Sequence, residues 1–175
     1  CGGDDSSCSN CIGVPSLIYL DSDDDGITDD GYSCTDLSVL YEYAVLNNID
    51  DDLGGNFSSL YNMGHPAQTT WDSNGRLTGW IITDHYNWTT FTISSLPQSI
   101  SNLTFLTAFN LNGYHSVQNI PEEICDLYYN HNLCSISISL TCGDYITETG
   151  IELDLPSCLQ NTNNCSGSSL YLNCP

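Results

Sequence analysis

Between positions 21 and 29 the chain reads Asp21-Ser22-Asp23-Asp24-Asp25-Gly26-Ile27-Thr28-Asp29, directly after the short apolar run 17–20. Carboxylates stand at the first, third and fifth positions, and a glycine at the sixth lets the backbone turn sharply. A backbone carbonyl at the seventh (Ile27) and an oxygen at the ninth (Asp29) extend the set that a hard cation such as calcium takes. Position twelve is Tyr32, so Asp30, Asp36 or water must complete the shell, and weak affinity is expected. The competing reading is a solvated acidic turn; the spacing with Gly26 favours calcium, held by Asp21, Asp23, Asp25, Ile27 and Asp29.

Cysteine is the second residue type that carries chemistry. Cys1, Cys8, Cys11, Cys34, Cys125, Cys134, Cys142, Cys158, Cys165 and Cys174 form an even set of 10, which in an oxidising compartment means up to five disulfides. Cys1 and Cys174 can bridge between molecules. They can equally pair locally, Cys1 with Cys8 or Cys11 and Cys174 with Cys165 or Cys158. Zinc is the competing use, but only Cys8-Ser9-Asn10-Cys11 has the spacing of a ligand pair, and His65, His85, His115 and His131 are scattered. Asn56, Asn87, Asn102 and Asn164 each open an Asn-X-Ser/Thr acceptor for N-linked glycans. Four such sequons with this cysteine count and no lysine point to a secreted, extracellular glycoprotein.

Catalysis leaves no comparable pattern. GxSxG, HExxH and glycine-rich phosphate loops are absent, and Arg76 is the single Lys or Arg in the chain. Stabilising an anionic transition state would fall to backbone amides or a metal. With 22 acidic residues some carboxylates must lie near one another, so a glycosidase-like pair carries no signal. The chain is expected not to be an enzyme.

The net charge of −21 would repel phosphate backbones and anionic headgroups, which excludes nucleic acid and membrane surfaces as partners. No apolar run approaches the ~20 residues that span a bilayer, so no membrane insertion is expected. The chain of 175 residues is 40% apolar, enough for one domain, or one with a small appendage, around a real core. It begins at Cys1 rather than Met, as expected of a processed chain or a fragment.

The elements that would position these groups follow from periodicity. Leu37, Leu40, Tyr41, Ala44 and Val45 recur at helical spacing, predicting an amphipathic helix over 36–48, capped by Thr35 or Asp36 and ended by Asn47-Asn48. The stretch 49–70 lacks periodicity, contains Gly54-Gly55 and Pro66, and reads as a long loop. A repeat then begins. Leu77-x-x-Trp80-x-Ile82 returns as Leu106-x-x-Phe109-x-Leu111, 29 residues on at each position, and a third unit starts as Leu133-x-x-Ile136-x-Ile138. Apolar-proline turns follow at Leu96-Pro97, Ile120-Pro121 and Leu155-Pro156, and Leu170-x-Leu172 offers a last strand.

Leu96-Pro-Gln-Ser-Ile-Ser-Asn-Leu103 and Ile120-Pro-Glu-Glu-Ile-Cys-Asp-Leu127, 24 residues apart, resemble the extracellular leucine-rich repeat family. The resemblance covers roughly 36–174, and the helix followed by Trp71-Asp-Ser-Asn-Gly-Arg-Leu-Thr-Gly79 resembles that family's N-terminal cap. The cap's cysteine pair is absent, and Gly113 stands near the strand motif's usual asparagine. The acidic loop resembles those of EF-hand, dockerin and thrombospondin type 3 repeats. The resemblance implies an α/β fold: a short leucine-rich repeat solenoid with a small parallel sheet, a cap helix and disulfide-rich ends. Its expected units are a Cys-rich calcium-type segment at 1–34 and a repeat domain at 35–175, with the cap at 35–76 and repeats from 77. Stacked repeats share one continuous core, so terminal ones need capping.

Trp80, Tyr86, Trp88, Phe91, Phe109 and Tyr114 gather around the first two repeats. Trp80 and Phe109 suit inward positions, whereas Tyr86, Trp88 and Tyr114 fit either the core or an exposed binding platform. His85 and His115 do not coincide under the 29-residue offset, which argues against a metal pair. A surface poor in cations and rich in Ser, Thr, Asn and Asp favours a structural subunit of a matrix, wall or surface fibre, assembling by protein contacts, including head to tail with itself. The alternative is a leucine-rich repeat recognition module, a receptor-like ectodomain or secreted ligand-binder.

Overall fold

The computed structural model describes residues 27–28, 31–47, 67–83, 95–112, 119–139, 155–160, 165–166 and 169–173. Helix α1 (Cys34–Leu46) comes first, followed by strands β1 (Ala67–Trp71), β2 (Leu77–Thr83) and β3 (Ala108–Asn112). Helix α2 (Ile124–Asn130) precedes β4 (Ser135–Ser139), and β5 (Cys165–Ser166) and β6 (Ser169–Asn173) end the chain's described part. Short 3₁₀ turns at Gln98–Asn102 and Ser157–Leu159 follow Pro97 and Pro156, whose fixed φ and missing N–H suit the first turn of such segments.

The strands form one mixed sheet in the order β1-β2-β3-β4-β6-β5. β2, β3 and β4 run parallel, with Trp80 beside Phe109 and Phe109 beside Ile136, then Ile82 beside Leu111 and Leu111 beside Ile138. The expected small parallel sheet is found as the centre of a mixed one: β1 pairs with β2, and β6 with β4, in antiparallel sense. β1 also corrects the expected loop over 49–70 at its end, because a tight turn at 72–76 folds 67–71 back on β2. That turn is built by Asp72, whose Oδ1 accepts from the Asn74 and Arg76 N–H groups, both at 2.8 Å. Gly75 sits there at φ +70°, and a Cβ on it would lie 1.9 Å from the Gly31 carbonyl oxygen, so only glycine permits the approach.

Inward residues of the three parallel strands meet α1, α2 and both 3₁₀ turns in one core. Tyr43 of α1 stands edge-on to Trp80 at 5.0 Å between ring centroids, and Trp80 edge-on to Phe109 at 5.8 Å. Trp80 and Phe109 are both buried, as their repeat positions predict. Ser33 rather than Thr35 or Asp36 caps α1, its Oγ accepting from the Asp36 N–H. The buried stripe also sits one residue back from the expected one, on Asp36, Leu37, Val39, Leu40, Tyr43 and Ala44, while Val45 is exposed. The displacement has an electrostatic cause, since Asp36 enters the core with a cation of its own.

At its other end α1 meets an isolated parallel bridge between Ser95 and Asn119, where the Asn47 side chain binds Ser95. Its Nδ2 donates to the Ser95 carbonyl at 2.9 Å, and its Oδ1 accepts the Ser95 N–H at 3.2 Å. One side-chain amide thereby takes the place of a neighbouring strand. Among the described residues no helix is long and apolar enough to cross a membrane.

Candidate functional site

Two regions hold the polar groups of interest, the junction ahead of α1 and the turns that follow the strands. At the junction, Ile27 bridges Ser33 in antiparallel fashion, and the Thr28 N–H donates to the Tyr32 carbonyl at 2.7 Å. The Ser33 N–H donates to the Gly75 carbonyl at 2.8 Å, joining this turn to the β1–β2 hairpin. Of the expected calcium ligands only Ile27 is described; Asp21, Asp23, Asp25 and Asp29 lie outside the described residues. Tyr32, at position twelve, packs edge-on against Trp71 at 5.0 Å.

Asp36 is corrected as a reserve calcium ligand. Its Oδ2 accepts from Arg76 Nε at 2.9 Å and from the Leu77 N–H at 2.7 Å, and its Oδ1 accepts from Arg76 Nη2 at 2.9 Å. Asp36 is fully buried, so a two-point pair with the planar guanidinium is what makes its burial tolerable. Arg76 also lies over the Phe105 ring, 4.2 Å from its centroid, a cation–π contact with a ring that stays about half exposed. The sequence marks Arg76 only as the chain's single Lys or Arg and as part of the cap-like segment 71–79; its partner forty residues earlier is set by the fold.

The second region is stitched by Cys125 and Cys158, which form a disulfide across 33 residues. Cys158 is therefore not Cys174's partner, which removes one of the two local pairings expected for Cys174. Cys34 and Cys134 are disulfide-bonded as well, and Cys165 lies in β5. Cys1, Cys8, Cys11, Cys142 and Cys174 lie outside the described residues, as do the sequons at Asn56, Asn87 and Asn164. Asn102 is exposed at the end of a 3₁₀ turn, where a glycan has room. Tyr86, Trp88, Phe91, Tyr114, His85 and His115 also fall outside the described residues.

Beside the disulfide, Glu122 accepts from the Ser157 N–H at 2.8 Å and from its hydroxyl. These donors, the hydroxyl foremost, hold the Glu122 carboxyl below its ordinary range; the Arg76 N–H, ahead of Asn74, does the same for Asp72. With folded values depressed, the unfolded state binds more protons. The stabilisation is complete above the ordinary carboxylate range and is lost as pH falls through the folded values. Asp72→Asn and Glu122→Gln are each expected to flatten the acid limb of a stability curve measured by urea unfolding from about pH 6 to about pH 2. An unchanged limb in both would show that these bonds do not persist in solution.

On the sheet's other face, Gly79, Ala108 and Ser135 lie in one register row, and Ile81, Asn110 and Ser137 in the next. Among the described residues no group of three or more His, Cys, Asp or Glu side chains converges as a metal site requires. Comparison with protein-family models, with curated proteins and with solved structures finds no match to this chain.

Proposed function

We propose that the chain is a secreted, non-enzymatic glycoprotein built as a short leucine-rich repeat module, serving as a structural subunit of an extracellular matrix, wall or surface fibre. The observation that carries this is the register of β2, β3 and β4, where residues one repeat apart are direct neighbours and share one core. Repetition of this kind yields a scaffold that works by contact. The disulfide across 33 residues and the exposed Asn102 sequon support an oxidising, glycosylating route.

Assembly of such subunits needs cations from outside. Each copy carries a net charge of −21, and its one arginine is spent on Asp36. Calcium at the acidic loop 21–29 is the bridging ion we propose, because each ion neutralises carboxylates that would otherwise repel. Head-to-tail growth is then ion- and side-chain-mediated, since antiparallel β1 and β6 flank the parallel run.

Light scattering and negative-stain microscopy of the glycosylated protein, with calcium and then chelator, test the proposal. Filaments or large assemblies that dissolve on chelation are expected. A monodisperse monomer in every condition overturns the structural role. It would favour a recognition module, for which the outer register row Ile81, Asn110 and Ser137, half-buried on the sheet face away from the core, is the supporting observation.

A further inference from the structure

None of the strand residues is charged, although the chain carries 22 Asp and Glu. For the inward residues of β2, β3 and β4 that is ordinary, because they build the core. For the outward ones it is not, since strand positions facing away from a core commonly carry charges. Across that outward face one register row runs Gln68, Ile81, Asn110, Ser137 and Tyr171, and the row beside it has Gly79, Ala108 and Ser135 at its centre. With strands ~4.8 Å apart the first row is about 19 Å long, and the small residues of the second lower the floor beside it.

All but Ile81 in the first row are amide or hydroxyl residues, whose polar groups both donate and accept. At its middle Asn110 is half-buried, and its Oδ1 lies out of solvent with no hydrogen-bond partner among the described residues. Buried acceptors are almost always paired, so one left over calls for a donor from elsewhere. The torsion that carries the amide is soft, and a turn about it presents the oxygen to a donor arriving on the face.

The charge pattern narrows the partner. A cationic segment would be held by the acidic remainder of the chain rather than by this face, and an acidic polymer would be repelled by the net charge of −21. An apolar partner would meet amides and hydroxyls on either side of Ile81. The complement is a partner without charge whose own groups both donate and accept, and a hydroxyl-rich carbohydrate chain is that partner. We propose that the outward face of the sheet binds a neutral polysaccharide, laid across the strands along the row from Gln68 to Tyr171, with Asn110 as its central hydrogen-bonding residue. The proposal rests on the reading that the chain works by contact outside the cell, and needs neither calcium nor polymer.

The experiment is cosedimentation of the full glycosylated chain with insoluble cellulose, chitin and β-1,3-glucan, and with cross-linked polygalacturonate as the acidic comparison. Excess chelator removes ion bridging, and about 0.15 M salt screens the general field of the protein. Retention on at least one neutral polymer is expected, with the acidic one at least about tenfold weaker. Asn110→Asp keeps the shape but sets a charge under the ligand, and should cost about tenfold. Asn132→Asp, the same change at an exposed position off the sheet, should cost less than about twofold. Ser137→Asp repeats the test one strand over, and the urea midpoint of each variant separates lost binding from lost folding. Equal losses in Asn110→Asp and Asn132→Asp, equal retention on polygalacturonate, or no retention of the folded wild type would overturn the proposal. So would dimerisation that Asn110→Asp abolishes, which would seat a second copy on the face. A protein that stays monomeric with calcium yet is retained loses the structural role and keeps this site; filaments that ignore every neutral polymer lose the site alone.

Discussion

Replacing Arg76 with methionine is expected to destabilise the fold by about 3–5 kcal/mol, read as a fall in the urea midpoint without a change in slope. Methionine keeps much of the apolar stem, so packing loss is small. What remains is the Asp36 carboxylate, fully buried and stripped of both guanidinium bonds. Lysine is not a substitute, because an ammonium cannot reproduce the parallel two-point contact. Asp36→Asn in the Arg76→Met background should recover part of the loss, roughly 1–3 kcal/mol, since the amide oxygen still accepts the Leu77 N–H while the uncompensated charge is gone. Near-zero coupling between the two positions in a double-mutant cycle would show that the pair is not formed in solution.

Trp80→Ala is expected to cost about 3–5 kcal/mol, toward the upper end because the site cannot collapse easily. Trp80 is among the largest fully buried side chains, held edge-on between Tyr43 and Phe109, and these three come from α1 and two neighbouring strands. Removing the indole would open a void where helix, β2 and β3 meet. Trp80→Phe should cost less, by retaining one ring of the stack. Thermal melts of the disulfide-intact protein give the comparison, and equal melting temperatures for wild type and alanine variant would refute this core.

The inward residues of the parallel strands were legible because they obey a local rule. Residues two apart on a strand share a face, and a spacing of 29 between equivalent residues makes Trp80 and Phe109 candidates for adjacent strands, where the register indeed puts them. The helix before them was legible for the same reason, although its phase was not. A pattern drawn from apolar residues alone excludes Asp36, and so turns the helix toward Val45. Nothing within 36–48 signals that an arginine forty residues further on will neutralise that carboxylate. The bond between Glu122 and Ser157 was equally illegible, since its partners lie in two turns that only the fold brings together.

Composition and spacing by themselves determined the charge of −21, the presence of the first helix and which side chains of the parallel strands face inward. These depend on counts and on short-range periodicity, which survive without knowledge of the fold. Tertiary structure alone decided that β1 and β6 run antiparallel, that Cys125 pairs with Cys158, and that the one arginine is used inside rather than on the surface. Each of these is a pairing between distant segments, and its energy comes from geometry that exists only once the chain has closed on itself.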